Sequence, residues 1–176
     1  MKKQIYLDYN ATTPVDQRVL DAMLPYFNIH FGNAASKTHA HGWLAADAVE
    51  QARQQVADLI NAEKDEIVFT SGTTEAINIA LKGVWENHKS KRNHIVTVKT
   101  EHKAVLDVCD YLSTQGATVS YLSVNREGII DLHELQNIIT DKTILVCVMI
   151  ANNETGVIQP ISEIAKLAHE KGAFFY

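Results

Sequence analysis

The sequence has few cysteines and no long apolar run, and each shortage excludes a class of protein. Two cysteines are too few for a disulfide framework, and Cys109 and Cys147 fall in apolar segments that predict inert core thiols. The longest apolar run, Ile144 to Ala151, has eight residues, whereas a membrane-spanning helix needs about 20. Residues 1–4 show no apolar signal segment. We therefore expect a cytoplasmic protein without a membrane partner.

Positive charge is also scarce. Sixteen Lys and Arg residues against 21 Asp and Glu give a net charge of -5, and the one dense basic cluster, 89–92, predicts a solvated loop. The sequence lacks the basic surface that nucleic-acid binding requires, so no direct nucleic-acid partner is expected. His39 and His41 have no carboxylate or cysteine at ligand spacing, so no metal site is predicted.

The 176 residues, 46% hydrophobic and 21% charged, have the composition of one globular domain with a sizeable core. Apolar residues recur at helical spacing in some segments and form strand-like runs in others. The helical segments are 16–27, 44–60, 74–85, 104–114, 131–139 and 161–171, and the strand-like runs are 66–70, 94–99, 117–122, 144–150 and 172–176. This alternation predicts an α/β fold with a mostly parallel sheet buried on both faces.

The final run, 172–176, is apolar and aromatic, which predicts a buried strand rather than a polar tail. Because a natural domain seldom ends within its sheet, the sequence is expected to be the front part of a longer protein.

Three predicted strand-to-helix junctions, 70–75, 100–103 and 151–156, carry polar residues that a hydrophobic core does not require. Ligands of open α/β sheets bind at the carboxyl ends of the strands. We therefore expect all three junctions to open on one edge of the sheet.

The first junction predicts either an anion site or an ordinary helix start. Gly72 allows close backbone approach, Thr73 and Thr74 offer hydroxyl donors, and the next helix directs free N–H groups outward. Alternatively, Ser71 is simply the N-cap of that helix and Gly72 a turn residue. Glu75 would repel a phosphate, so it must pair with another group or point away.

The other two junctions have similar alternatives. His102 can stack on a flat ring, accept a proton or cap the following helix. Asn152 and Asn153 can donate hydrogen bonds to a ligand oxygen, or can form an ordinary turn before Gly156. The expected convergence of the three junctions on one edge is what favours a binding site.

Five segments together resemble the NifS/IscS-type cysteine desulfurases, which are fold-type I pyridoxal-phosphate (PLP) enzymes of the class V aminotransferase group. The segments are YLDYNATTP (6–14), FGNAAS (31–36), FTSGTTE (69–75), TEHKAVL (100–106) and NNETGVIQ (152–159). They occur in the family's order and spacing. The resemblance implies a three-layer αβα large domain, with 1–15 as an N-terminal segment bordering the active site and 16–176 as an incomplete PLP-binding domain.

The resemblance also implies roles for individual residues. Thr73 and Thr74 would hold the PLP phosphate, His102 would stack on the pyridine ring and transfer a proton, and Asn153 would lie near the phenolic oxygen. At lower specificity, three further residues would border the substrate pocket. These are Asn10, Ala11 and Asn33.

The implied reaction removes sulfur from L-cysteine, giving L-alanine and an enzyme persulfide that supplies iron–sulfur scaffolds or tRNA thiolation. The family is homodimeric. Its Schiff-base lysine, pyridinium-pairing aspartate, mobile cysteine and substrate arginine all correspond to regions beyond Tyr176, and Lys99 and Lys103 do not match the family's lysine. The chain alone is therefore expected to be colourless and inactive. A selenocysteine lyase, another class V enzyme and a non-catalytic scaffold or oligomerisation module remain alternatives.

Overall fold

The computed structural model describes residues 4–176, which form two compact units, 4–69 and 70–176. Residues 1–3 lie outside the described residues. They are the first residues of the predicted 1–15 segment and of the stretch 1–4, in which the sequence shows no apolar signal segment. The predicted division into 1–15 and 16–176 stays a prediction. Within 4–176, no helix is both long and apolar enough to cross a membrane.

The first unit is helical. It contains α1 (Gln17–Met23), α2 (Pro25–Asn28), α3 (Ala40–Ile60) and a 3-10 turn (Lys64–Glu66). The prediction of one continuous helix over 16–27 is wrong, because the segment forms two helices, α1 and α2. Pro25 has no N–H to continue the hydrogen bonds of α1, and it starts α2 instead. Helix α3 begins before the predicted residue 44, since the side chain of His39 accepts a hydrogen bond from Gly42 N at 3.2 Å and caps it.

The strand predicted over 66–70 is also wrong. The segment starts in the 3-10 turn and then continues without strand pairing in the described part of the chain. The segment contacts α3 instead. Arg53 of α3 donates a hydrogen bond to the carbonyl of Ile67, and its guanidinium carbon lies 5.0 Å from the ring centroid of Phe69. An apolar run forms a strand only where another strand pairs with it.

The second unit alternates strands and helices. Its strands are β1 (His94–Val98), β2 (Thr118–Leu122), β3 (Thr143–Cys147) and β4 (Phe174–Phe175), and its helices are α4 (Thr73–His88), α5 (Lys103–Thr114), α6 (Leu132–Ile138) and α7 (Ile161–Glu170). All strand pairs are parallel, in the order β2-β1-β3-β4. The predicted α/β fold with a parallel sheet is confirmed.

Helices cover both faces of this sheet. Leu81 of α4 and Leu112 of α5 belong to one buried cluster, which includes Ile95 and Leu145. Leu135 of α6 and Ile164 of α7 belong to a second cluster with Val96 and Val146. Since neighbouring strand residues point to opposite faces, the two clusters lie on opposite sides of the sheet and make three αβα layers. Full burial of each such side chain contributes about 1.5–3 kcal/mol.

The direction of α4 decides where the first junction opens. A short turn joins the end of α4 to β1, and Arg92 in that turn donates to the carbonyls of Thr143 and Gly172, at 3.1 and 2.7 Å, where β3 and β4 begin. The C-terminal end of α4 therefore lies at the amino edge of the sheet. Because α4 packs along the sheet, its N-terminus lies at the carboxyl edge, where α5 and the turn after β3 also begin.

His94, at the amino edge, makes the stability of the fold depend on pH. Its ring is buried, with Nδ1 2.8 Å from Thr143 Oγ1 and Nε2 2.9 Å from Ser120 Oγ, and burial lowers its pKa below the usual 6.5. Below pH 6.5 the unfolded chain takes up a proton that the folded chain refuses. The free energy of unfolding should therefore fall with pH from 6.5 down to the folded-state pKa, by at most about 1.4 kcal/mol per pH unit.

Urea unfolding between pH 8 and pH 5 measures this dependence. His94→Gln should reduce the pH slope, whereas His133→Gln, which removes an exposed histidine, should leave it unchanged. Equal slopes in the wild type and His94→Gln would contradict the assignment.

Candidate functional site

The N-terminus of α4 presents free donors at the carboxyl edge. Gly72 is its N-cap, and no side chain among residues 4–176 caps the helix. The exposed hydroxyls of Thr73 and Thr74 have no hydrogen-bond partner within the described chain. Together with the positive end of the helix dipole, these N–H and O–H groups have the chemistry to donate hydrogen bonds to an anion. A Cβ built on Gly72 would meet nothing within 4 Å, so space is open beside these donors.

Ser71 is not the N-cap, so that alternative is wrong. Its backbone N–H and its hydroxyl both donate to Glu75 Oε2, at 2.6 and 2.7 Å. Both bonds lower the pKa of Glu75, and the bond from the backbone N–H has the larger effect. As expected, this carboxylate pairs with another group. Because Glu75 engages Ser71, the hydroxyls of Thr73 and Thr74 are left for a ligand.

His102 lies at the carboxyl edge and is the N-cap of α5. Its ring Nδ1 accepts a hydrogen bond from Ala104 N at 3.1 Å. The backbone N–H of His102 donates to Glu101 Oε2 at 2.8 Å. The expected alternative of a capping histidine is confirmed. Since Nδ1 accepts, the neutral ring carries its proton on Nε2. The exposed ring thus offers an N–H donor at Nε2.

The turn after β3 is joined to the loop before His102. Asn152 Nδ2 donates to the carbonyl of Thr100 at 3.0 Å, and Asn153 is the next residue, exposed in the turn. The structure therefore brings the His102 and Asn153 loops together at one edge, as the position of the junctions predicts.

The two lysines beside His102 are engaged, and both cysteines of the second unit are buried. Lys103 Nζ lies 2.6 Å from Asp107 Oδ1, and Lys99 Nζ donates to Ser123 Oγ at 3.1 Å. Both cysteines are buried; desolvation raises the pKa of Cys109 to about 12 and that of Cys147 well above its usual value. The prediction of inert core thiols is confirmed.

Asn10, Ala11 and Asn33 lie in the first unit. Asn10 and Ala11 occupy a turn in which Ala11 N donates to Asp8 O at 3.1 Å, and Asn33 Oδ1 accepts from Ala35 N at 2.9 Å. Their place in a substrate pocket stays a prediction. Within residues 4–176, no group of three or more metal-ligating side chains is placed to hold a metal ion.

Two polar residues near the edge form hydrogen bonds that were not predicted from sequence. Asn152 joins two loops, and the buried Gln159 donates to Gly128 O at 2.7 Å and accepts from Ile130 N at 3.2 Å. Each lies in a polar loop, where the sequence gives no signal of a partner far along the chain.

Comparisons with known proteins agree with this geometry. Cysteine desulfurase IscS of Rickettsia massiliae (strain Mtu5) is 55% identical over 172 residues, which are 98% of this chain and 42% of the relative. Cysteine desulfurase IscS of Ehrlichia chaffeensis (strain ATCC CRL-10679 / Arkansas) is 58% identical over the same shares of the two chains. The chain thus spans about two fifths of the length of these curated relatives.

Solved structures show the same fold. A NifS-like protein superposes with a TM-score of 0.94 at 39% identity, over 99% of this chain and 48% of that one. DndA from Streptomyces lividans gives 0.84 at 42% identity, over 97% and 48%. Residues 5–176 match the family model of the class-V aminotransferases. On sequence and fold, the chain belongs to the aminotransferase class-V family.

Proposed function

We propose that this chain is the cofactor-phosphate part of a PLP-dependent cysteine desulfurase. The observation that carries the proposal is the uncapped N-terminus of α4, which lies at the same sheet edge as His102 and the Asn153 turn. Relatives named cysteine desulfurase, 55 to 58% identical to the chain, support it.

The residues present fit PLP, which carries a dianionic phosphate and a flat ring with a phenolic oxygen. Thr73 and Thr74 would hold the phosphate through their hydroxyls and the N–H groups of α4. His102 would lie against the ring, and Asn153 would donate to the phenolic oxygen. When bound, PLP supplies an electron sink for the substrate's α-carbon.

His102 handles protons under a structural constraint. While Nδ1 accepts from Ala104 N, the ring acts as a donor through Nε2, and protonation at Nδ1 requires that this capping bond break. The same bond fixes the plane of the ring beside the site. His102 therefore donates a hydrogen bond through Nε2 while it caps α5, and it exchanges protons with the substrate only when the capping bond opens.

The substrate and partners follow from the same proposal. L-cysteine is the substrate, Asn10, Ala11 and Asn33 border its pocket, and the sulfur passes in the cytoplasm to an iron–sulfur scaffold or another acceptor. The protein acts as a homodimer. Neither Cys109 nor Cys147 carries the sulfur, since both thiols are buried and held protonated. A polypeptide of residues 1–176 alone is expected to release no sulfide from cysteine.

The test is made on the intact protein that carries this sequence. With PLP, it should convert L-cysteine to equimolar alanine and transferred sulfur. In Thr73→Val/Thr74→Val, affinity for PLP should fall about a hundredfold, because two hydrogen bonds to a charged phosphate are lost. Affinity for pyridoxal, which has no phosphate, should not change, nor should PLP affinity in Thr118→Val, an exposed threonine at the opposite edge.

Three results would contradict the proposal. Activity on selenocysteine alone would indicate a selenocysteine lyase, and absence of PLP binding would indicate a non-catalytic module. Equal losses for PLP and pyridoxal would show that the two threonines do not hold a phosphate.

A further inference from the structure

Asn152 uses every hydrogen-bonding group it has. Its Oδ1 accepts from the backbone N–H groups of Glu154 and Thr155, both at 2.9 Å, and from Thr155 Oγ1 at 3.1 Å. Its backbone N–H donates to Val157 O at 2.9 Å, and its carbonyl accepts from Gly156 N at 2.8 Å. Five bonds therefore hold Asn152 in its own turn, and the side-chain plane is fixed before any ligand arrives.

The remaining donor, Nδ2, leaves that turn and reaches the carbonyl of Thr100 at 3.0 Å. Thr100 follows β1, Asn152 follows β3, and the two strands are adjacent in the sheet. Further inside, besides the backbone ladder, a second side-chain hydrogen bond joins the two strands, from Thr97 Oγ1 to Cys147 O at 3.1 Å. Beyond that bond the strands separate into loops, so the contact from Asn152 sets the spacing of the loops.

We propose that Asn152 is a positioning residue, which holds the turn carrying Asn153 at a fixed distance from the loop carrying His102 so that both side chains meet one ring. The inference rests on the proposed function, because that function places both residues against PLP. Asn152 itself does not touch the ring. It acts through its neighbour Asn153 and through Thr100, which lies two residues before His102.

Substitution can separate the two tasks of the side chain. Asn152→Asp keeps an oxygen for the N–H groups of Glu154 and Thr155 but places a carboxylate against the carbonyl of Thr100. Asn152→Ser also keeps a local acceptor, adds no charge and is too short to reach Thr100. Asn125 is the matched control. Its Oδ1 accepts from Glu127 N at 3.0 Å and Ile129 N at 2.9 Å, and within residues 4–176 it makes no bond to another junction loop.

Hydrogen exchange on the intact protein without PLP tests the contact independently of the cofactor. In Asn152→Asp and Asn152→Ser, amides 100–103 should exchange about tenfold faster, while amides 154–155 stay protected. Asn125→Asp should change neither segment. Unchanged exchange at 100–103 in both Asn152 variants would overturn the proposal.

Cofactor binding is the second readout. Both Asn152 variants should bind PLP about tenfold more weakly, and the visible circular dichroism of bound PLP should decrease, because the ring is held less rigidly. A wild-type protein that binds no PLP would overturn the proposed function. Wild-type binding with unchanged affinity and dichroism in both variants would overturn only the positioning role of Asn152.

Discussion

Replacing His102 by asparagine should lower kcat for L-cysteine desulfuration by about a thousandfold, which is the usual scale for loss of a positioned acid–base group. Asparagine is among the best N-cap residues, so its Oδ1 should replace Nδ1 as the acceptor for Ala104 N–H. The substitution therefore removes the ring and its Nε2 proton but leaves the start of α5 intact. Steady-state kinetics and thermal unfolding of the intact protein measure the two effects separately.

Two further variants separate capping from chemistry. His102→Ala removes both the ring and the cap, so its unfolding free energy should fall by about 1 kcal/mol relative to His102→Asn, with a similar loss of kcat. His39 caps α3 through the same Nδ1 arrangement, and His39→Asn should preserve its helix in the same way. If His102→Asn kept full kcat, the ring would be only a helix cap.

The elements of the second unit could be predicted from sequence because local pattern and tertiary environment agree there. β1 and β3 are buried over their whole length, so their apolar runs have the form of central parallel strands. Helices α5 and α6 also begin at polar N-cap residues, His102 and Asp131. In this unit the predicted and observed helices and strands differ only in where they begin and end, by a few residues.

The first unit was harder to predict because its features depend on contacts distant in sequence. The run 66–70 has the composition of a strand, but Arg53 of α3 bonds to its backbone and it has no strand partner in the described residues. The apolar side chains of α1 and α2 remain exposed, for example Val19 at 50% and Phe27 at 71%. Periodicity identifies an apolar helix face, but it does not identify what that face packs against.

The candidate site was predictable in its positions but not in its bonds. The sequence places polar residues after three predicted strands, and the structure forms two of these strands, β1 and β3. The topology rule for α/β sheets correctly assigns the residues after those two strands to one edge. The bond from Asn152 to Thr100 and the pairing of Ser71 with Glu75 depend on side-chain directions, which residue spacing does not encode. These bonds determine which groups are left for a ligand.

Gly42→Ala should destabilise the first unit by about 2 kcal/mol or more, although alanine is the better helix former by about 1 kcal/mol. Gly42 lies in the first turn of α3, and a Cβ there would be 2.0 Å from the carbonyl oxygen of Ser36. The opposing loop is equally tight, since a Cβ on Gly32 would be 2.0 Å from the carbonyl oxygen of His41. Backbone atoms form both contacts, so no side-chain rotation can relieve the clash.

Gly83→Ala in α4 is the matched control, because a Cβ there meets nothing within 4 Å. This substitution should stabilise the protein by about 0.5–1 kcal/mol through helix propensity alone. Denaturant unfolding of the intact protein gives the sign of each change, and hydrogen exchange over 31–45 locates the effect of Gly42→Ala. The two glycine-to-alanine changes should have opposite signs only if the 31–36 loop packs directly on the start of α3. Stabilisation by both variants would mean that this loop lies away from the helix.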